Sequence, residues 1–342
     1  MVFALLLSLL LIAGCSQVGP PGTAGPVVEP AVVVRPVWPP PPDAAKIEYL
    51  TSLSGTRDLR VAKSFFRRLG EMVLGYSEDW LVRPTGVAAR GDFLAIADAG
   101  APALFLFDGN ARSFEKITTI GGEDLVSPVG VALAENDNVY LSDSFLHRIY
   151  LLDRTGRFLH AWGSDELVRP TSLAFDAQRA RLYVADAGAH QIVAYDADGA
   201  LQLAFGSRGL GDGQFNWPSH LCVDRDGLVY VVDFFNFRVQ IFDPNGHFLF
   251  KFGHQGDGSG DFSRPKGIGV DRRGHIYVVD ALFDAVQIFN HRGEFLLGFG
   301  RQGRDAGEFW LPNGLAADGD RIYVADAYNQ RIQVFQFIGA DE

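Results

Sequence analysis

The sequence predicts an all-β chain folded as a six-bladed β-propeller with four-stranded antiparallel blades. Three regularities predict it. An Asp recurs as Asp98, Asp143, Asp186, Asp233, Asp280 and Asp326, at spacings of 45, 43, 47, 47 and 46 residues, the period of a propeller blade. A Pro precedes each Asp by 14 to 16 residues: Pro84, Pro128, Pro170, Pro218, Pro265 and Pro312. Three residues before every one of these prolines stands an apolar side chain, Leu81, Leu125, Leu167, Phe215, Phe262 or Phe309, as expected of plugs between blades.

Residues 1–14 read as an export leader. The apolar run from Phe3 to Ile12 has signal-peptide length and is too short to span a membrane comfortably. It ends in Ile12-Ala13-Gly14-Cys15, which resembles the bacterial lipobox. The resemblance implies that Cys15 takes the lipid, that Ser16 sorts the product to the outer membrane, and that the domain faces the periplasm or the cell surface through a lipid anchor. Residues 15–45 read as a lipid-anchored, semi-rigid stalk, because from Gly19 to Pro42 they are crowded with Pro and Val, closing on Trp38-Pro39-Pro40-Pro41-Pro42, a composition that favours extended polyproline II.

The propeller is expected over 46–338. Its sixth repeat stops after three strands, and Tyr49-Leu50-Thr51-Ser52-Leu53-Ser54 looks like the fourth strands of other blades, so 46–54 is predicted to close the ring by completing the last sheet. In the insertion 59–80, Ala62, Phe65, Phe66, Leu69 and Val73 recur at helical spacing, which predicts one short amphipathic helix. The repeats themselves fill 81–338. In the fourth, Leu221-Cys222-Val223, Val229-Tyr230-Val231-Val232, Arg238-Val239-Gln240-Ile241-Phe242 and Phe248-Leu249-Phe250-Lys251-Phe252 are strand-like runs. Asp224-Arg225-Asp226-Gly227 and Asp243-Pro244-Asn245-Gly246 supply the turns between them.

Composition agrees with a buried core broken by many turns: 47% hydrophobic, 12% aromatic and 39 glycines in 342 residues. A formal net charge of -11 argues against a nucleic-acid partner, which needs clustered Lys and Arg. The two cysteines, Cys15 and Cys222, stand in unlike contexts and predict no disulfide framework.

The repeats resemble the NHL family. The likeness is carried by Pro265-Lys266-Gly267-Ile268-Gly269-Val270-Asp271, Ile322-Tyr323-Val324-Ala325-Asp326 and Asn329-Gln330-Arg331-Ile332-Gln333-Val334-Phe335, with His147-Arg148-Ile149 as a further match. It implies the six-bladed propeller, but the fold hosts protein-binding modules, sensor domains, RNA binders and a few lyases, so it transfers no single activity. Propeller lipoproteins of this look sometimes accompany exported cell-envelope or cytochrome machinery.

One acid at the same place in all six blades reads as structural. The expectation is a hydrogen bond to the following loop, with an ion pair to Arg148, Arg238 or Arg331 where one stands nearby. No serine elbow, zinc-protease helix, Walker loop or haem-attachment motif is present. The rival reading is a lyase or hydrolase, amidating-lyase-like or lactonase-like, with a channel metal. At the two positions after the repeat prolines only His220 could ligate zinc, against the three protein ligands that catalytic zinc needs. The expectation is therefore a monomeric, non-enzymatic module without cofactor or metal, which binds a protein, peptide or glycan.

Its candidate site is the face made by the second-to-third-strand turns and the blade-to-blade loops. There the sequence places Trp217, His220, Phe234, Phe235, Phe237, Arg264, Lys266, Phe283, Trp310 and Tyr328, with Arg83 and Arg169 beside the channel. Aromatics and Arg are the residues enriched in binding hot spots, and the fourth repeat holds most of the rings.

If Cys15 is the acylated residue, Cys15→Ser is expected to leave the leader uncleaved or to release the protein from the membrane fraction. Fractionation and immunoblotting of cell envelopes check it, and unchanged acylation refutes the anchor.

Overall fold

The computed structural model describes residues 35–55, 80–111, 113–163 and 165–339. The leader, Cys15, the stalk up to residue 34 and the helix expected within 59–80 lie outside them, apart from Trp80 at the end of that insertion. Blades 1 to 5 are consecutive four-stranded antiparallel sheets over 84–117, 128–163, 170–205, 218–252 and 265–299. Blade 4 shows the plan, with Pro218–Val223 innermost, then Val229–Asp233 and Arg238–Phe242, and Phe248–Phe252 on the rim. A two-stranded hairpin, Thr119–Ile120 with Glu123–Asp124, lies between blades 1 and 2.

Blade 6 is built from both ends of the propeller. Leu315–Asp318, Arg321–Asp326 and Arg331–Phe337 come from the last repeat, and Ile47–Leu53 pairs antiparallel with Arg331–Phe337 as its outer strand. The expected closure is therefore present, and one feature was not foreseen. Val37–Trp38 adds a short fifth strand beyond Ile47–Leu53, and the Trp38 ring packs 5.7 Å from Phe299 and 5.9 Å from Phe335. The stretch read as the end of the stalk, from Arg35 on, thus belongs to the same compact unit as the propeller. An aromatic at the stalk's end finds apolar surface on the rim of blade 6, and proline content alone does not register that.

The blades are sheets buried on both faces, so their middle strands lack a polar side: Val229–Asp233 and Ile276–Asp280 are buried at every position. The residues predicted as plugs are all buried, Phe215, Phe262 and Phe309 completely. Their rings pack at a tilt, 5.5, 5.6 and 5.7 Å from Phe242, Phe289 and Phe335 of the blade that follows. Full burial of such a ring contributes about 1.5–3 kcal/mol.

All six repeated Asp side chains have no exposed surface. Asp98 accepts from the backbone N–H of Val82 at 2.6 Å and Arg83 at 2.9 Å, and from Gly100 and Ala101 in the turn after it. Asp143 does the same for Val126, Ser127, Phe145 and Leu146. The carboxylate thereby ties the loop that enters a blade to that blade's own second turn. In blades 4 and 6 it also holds an Arg, Arg238 on Asp233 and Arg331 on Asp326, each at 2.8 Å. Arg148 departs from the expected pairing. Four backbone donors already occupy Asp143, and Arg148 turns instead to Glu123 of the hairpin at 3.5 Å.

Deleting residues 47–53 would leave the last strand of blade 6 with an open edge and strip Tyr49 from Phe335. The melting temperature is expected to fall by about 5 °C or more, or the protein to aggregate. Scanning calorimetry checks it, and an unchanged melt would mean that the ring closes by other contacts.

Candidate functional site on the loop face

The channel mouth is set by the residue before each repeat proline, and it is held in two ways. Arg83, Ser127, Arg169 and Arg264 donate their backbone N–H to the Asp of their own blade. Trp217 and Leu311 instead donate to a side chain of the preceding blade, His190 Nδ1 at 3.2 Å and Asp284 Oδ1 at 2.7 Å. Both then adopt left-handed backbone, φ 68° and 47°, which is unusual for bulky residues and concentrates at functional sites. Burial raises the Asp284 carboxyl above its ordinary range, with the Leu311 N–H acting against it.

Arginine thus stands at the mouth of blades 1, 3 and 5. In blades 1 and 3 a glycine two residues after the Asp makes room for it: a Cβ on Gly100 would lie 2.6 Å from that of Arg83, and one on Gly188 2.9 Å from that of Arg169. In blades 2, 4 and 6 the same position is Phe145, Phe235 and Tyr328, exposed by 66, 51 and 50%.

Of the predicted aromatics, Trp217, Phe234 and Phe235 come together. Phe234 and Phe235 sit on a single 3-10 turn, Phe234–Asn236, their ring centroids 4.7 Å apart, and Phe235 meets Trp217 edge-on at 6.3 Å. Arg169 lies over Trp217 at 5.5 Å and Arg264 over Phe234 at 5.9 Å. The result is an arc, Arg169–Trp217–Phe235–Phe234–Arg264, across the top of blade 4. Phe237 is not part of it. Its left-handed backbone, φ 54°, turns the side chain down against the core between blades 4 and 5. Phe283 is half-buried, with none of the arc's ring contacts. Trp310 and Tyr328 form a separate pair over blade 6, 5.8 Å apart, with Arg304 4.9 Å above Trp310. No repeat feature marks Arg304, which lies in a loop of variable sequence.

Between the arc and that pair lies a half-enclosed pocket of ≈ 280 Å³, lined by Arg83 and Thr85 of blade 1, Arg264, Lys266 and Ala281 of blade 5, and Leu311, Asn313 and Tyr328 of blade 6. Burial, reinforced by Arg264 and Arg83, depresses the Lys266 ammonium to about 8. His220 sits lower, in the axial channel formed by the first strands of the blades. Burial first, then Lys266, holds its imidazole down at about 3 against a hydrogen bond with Asn313, so it is neutral at ordinary pH. Burial and then Asp224 drive the Cys222 thiol far above its usual range, so it stays protonated and unreactive.

Glycine occupies the position equivalent to His220 in four blades because backbone of the next blade approaches there. A Cβ on Gly86, Gly130, Gly267 or Gly314 would come within 2.0 to 2.5 Å of a neighbouring carbonyl oxygen. A ring of ligating side chains has no room at that level. Among the described residues no three His, Cys, Asp or Glu side chains are grouped as a metal site would require.

The NHL repeat model matches residues 309–335, and a model described as a 6-bladed beta-propeller matches 215–286. This chain is a six-bladed β-propeller that carries an NHL repeat. Solved structures agree on the fold of this propeller. A Bacteroides thetaiotaomicron protein of unknown function matches at 18% identity and TM-score 0.58, over 75% of this chain and 70% of its own. An auxiliary nutrient binding protein from Bacteroides ovatus matches at 15% and 0.59, over 75% and 69%. A catalytically inactive virginiamycin B lyase from Staphylococcus aureus, solved with quinupristin, matches at 12% and 0.57, over 75% and 81%. At such identities the likeness is one of fold. No curated protein sequence matches the chain.

His220 supplies a pH prediction. Its folded-state value of about 3 lies below the 6.5 of a free imidazole, so the unfolded chain takes up the proton first on acidification. Its contribution to stability is complete above about pH 6.5 and is lost as pH falls toward 3. His220→Gln is expected to flatten that part of the stability profile. Urea titrations of both proteins between roughly pH 4 and 7 check it, and identical slopes would show that the imidazole is not sequestered.

Proposed function

We propose that this propeller is an extracytoplasmic binding module, held to the membrane by lipid on Cys15, that captures a protein or peptide partner on its loop face over blades 4 and 5. The observation that carries this reading is the arc Arg169–Trp217–Phe235–Phe234–Arg264, in which three rings and two guanidinium groups form one continuous surface. Phe235 leaves half of its surface in water and Trp217 holds a strained backbone to present its ring. The blade itself requires neither ring, since blades 1 and 3 have glycine at the Phe235 position and the other blades have Arg, Ser or Leu at the Trp217 position. Aromatic rings flanked by Arg are the side chains that supply most binding energy at protein interfaces, and exposed apolar clusters on a soluble domain mark such interfaces. A glycan that stacks a sugar ring on Trp217 would use the same arc.

The rival is a lyase or hydrolase working in the channel. His220 at the channel and the shared fold of virginiamycin B lyase are what favour it. A single neutral imidazole falls short of a catalytic zinc ligand set.

Alanine at Trp217, Phe234 or Phe235 is expected to weaken capture of the partner by about 1 kcal/mol or more each, with an unchanged melting temperature. Crosslinking in native envelopes, followed by titration of the captured partner against parent and triple variant, measures it. Equal affinity for the two would sink the reading, and stoichiometric zinc that disappears in His220→Ala would favour the lyase.

A further inference from the structure

We propose that the pocket of Arg83, Arg264 and Lys266 at the channel mouth binds an oxyanion group of the ligand, whether a carboxylate or a phosphoryl or sulfuryl group. This deepens the loop-face reading and rests on it for the apolar part of the ligand. The whole chain has a formal net charge of -11, so its long-range field repels anions. Yet three cations from two blades converge on one half-enclosed cavity of ≈ 280 Å³. Among the described residues none of the three is ion-paired. The repeated Asp side chains beneath them are already occupied: Asp98 and Asp280 by the backbone N–H groups of their loops, and Asp326 by the Trp310 N–H, Asn329 and Arg331.

These cations do little for the fold. Arg83 Nη2 reaches only the carbonyl of Ala99 at 3.4 Å, and the head groups of Arg264 and Lys266 make no hydrogen bond among the described residues. Gathering like charges in a partly dry site is unfavourable, as the depressed Lys266 shows. Such a cost persists where function demands it. An oxyanion would neutralise the cluster and accept charge-assisted hydrogen bonds from it, whereas a metal cation would be repelled and a neutral sugar would leave the charges unpaired. Arg264 faces both the pocket and the Phe234 ring, so an acidic group seated here continues into an aromatic or apolar group lying on the arc.

Lys266 makes the site sensitive to pH. The groups facing it are Arg264 on its own blade, Arg83 from blade 1, His220 from blade 4, and Asn313 and Tyr328 from blade 6. With His220 neutral and the arginines permanently charged, Lys266 is the group that titrates between roughly pH 6 and 9.

The test is a calorimetric titration of the full-length protein with sodium sulfate, acetate and phenylacetate, each against chloride at matched ionic strength, near pH 7 and near pH 9.5. Sulfate or acetate is expected to bind in excess of chloride. Lys266→Gln or Arg83→Gln is expected to weaken it by about tenfold, and Arg264→Gln, at an exposed position, serves where either variant fails to fold. Affinity for sulfate, whose charge is constant over this range, should drop at the higher pH in the parent and not in Lys266→Gln. A preference for sulfate identifies a phosphoryl-like group, and one for acetate a carboxylate. Phenylacetate that binds more tightly than acetate, with the gain lost in Phe234→Ala, supports the arc as well. If phenylacetate and acetate bind alike while the basic variants still lose them, the pocket stands and the arc reading fails. Binding no stronger than chloride, or undiminished in an Arg83→Gln/Lys266→Gln double variant, overturns the oxyanion site.

Discussion

The rest of the structure depends on a buried carboxylate that appears once in every blade. A blade alone is a small sheet with two apolar faces, and it is stable only when stacked against its neighbours. The loop that crosses from the rim of one blade to the centre of the next has to be fixed in a place where its backbone N–H groups are cut off from water. Unmade, each such donor would cost on the order of 1–3 kcal/mol. Asp98 and Asp143 each satisfy four of these donors, two from the incoming loop and two from the blade's own turn. In blades 4 and 6 the same carboxylate also anchors an Arg whose remaining donors reach carbonyls of a longer incoming loop, Leu210, Gly211 and Gln214 in one case and Arg304, Asp305 and Glu308 in the other. Removing one partner of such a buried pair is costly, because it strands the other charge.

That scaffold aims the residues at the channel mouth. The N–H of Arg83, Arg169 and Arg264 are three of the donors held by these carboxylates, so acids that serve only the fold position the cations that face solvent. Where the proline is preceded by Trp217 or Leu311, the donor swings to His190 or Asp284 of the blade before. The mouth thus combines four residues tied within a blade, in blades 1, 2, 3 and 5, with two tied across a blade boundary, in blades 4 and 6. A surface of unlike groups is laid over a nearly uniform ring.

Much of this was legible in the repeats, residue by residue. The plugs from Leu81 to Phe309 and the closing strand read off the period, because stacking six equal units imposes the same burial on the same position each time. Arg148 shows where the period misleads: it has the place of Arg238 and Arg331, yet the hairpin before blade 2 offers it Glu123. Phe237 shows it again. It stands beside Phe234 and Phe235 in the sequence but turns inward, because a left-handed backbone reverses the chain between them. The same holds for Trp38, which opens a run of four prolines and whose partners Phe299 and Phe335 lie on strands far along the chain.

The sequence by itself determined the blade number, the order of the strands, the manner of closure and the face on which the repeats differ. These follow from periodicity and from the need to bury apolar surface, both of which are written locally. Only the tertiary structure decided which of the differing residues share a site. Arg83 and Lys266 are 183 positions apart in the chain and become neighbours because a ring brings its first blade beside its last two. The grouping of like charges, the depressed ammonium and the neutral imidazole beneath it arise from that closure, since Coulomb energies and desolvation depend on distances in space.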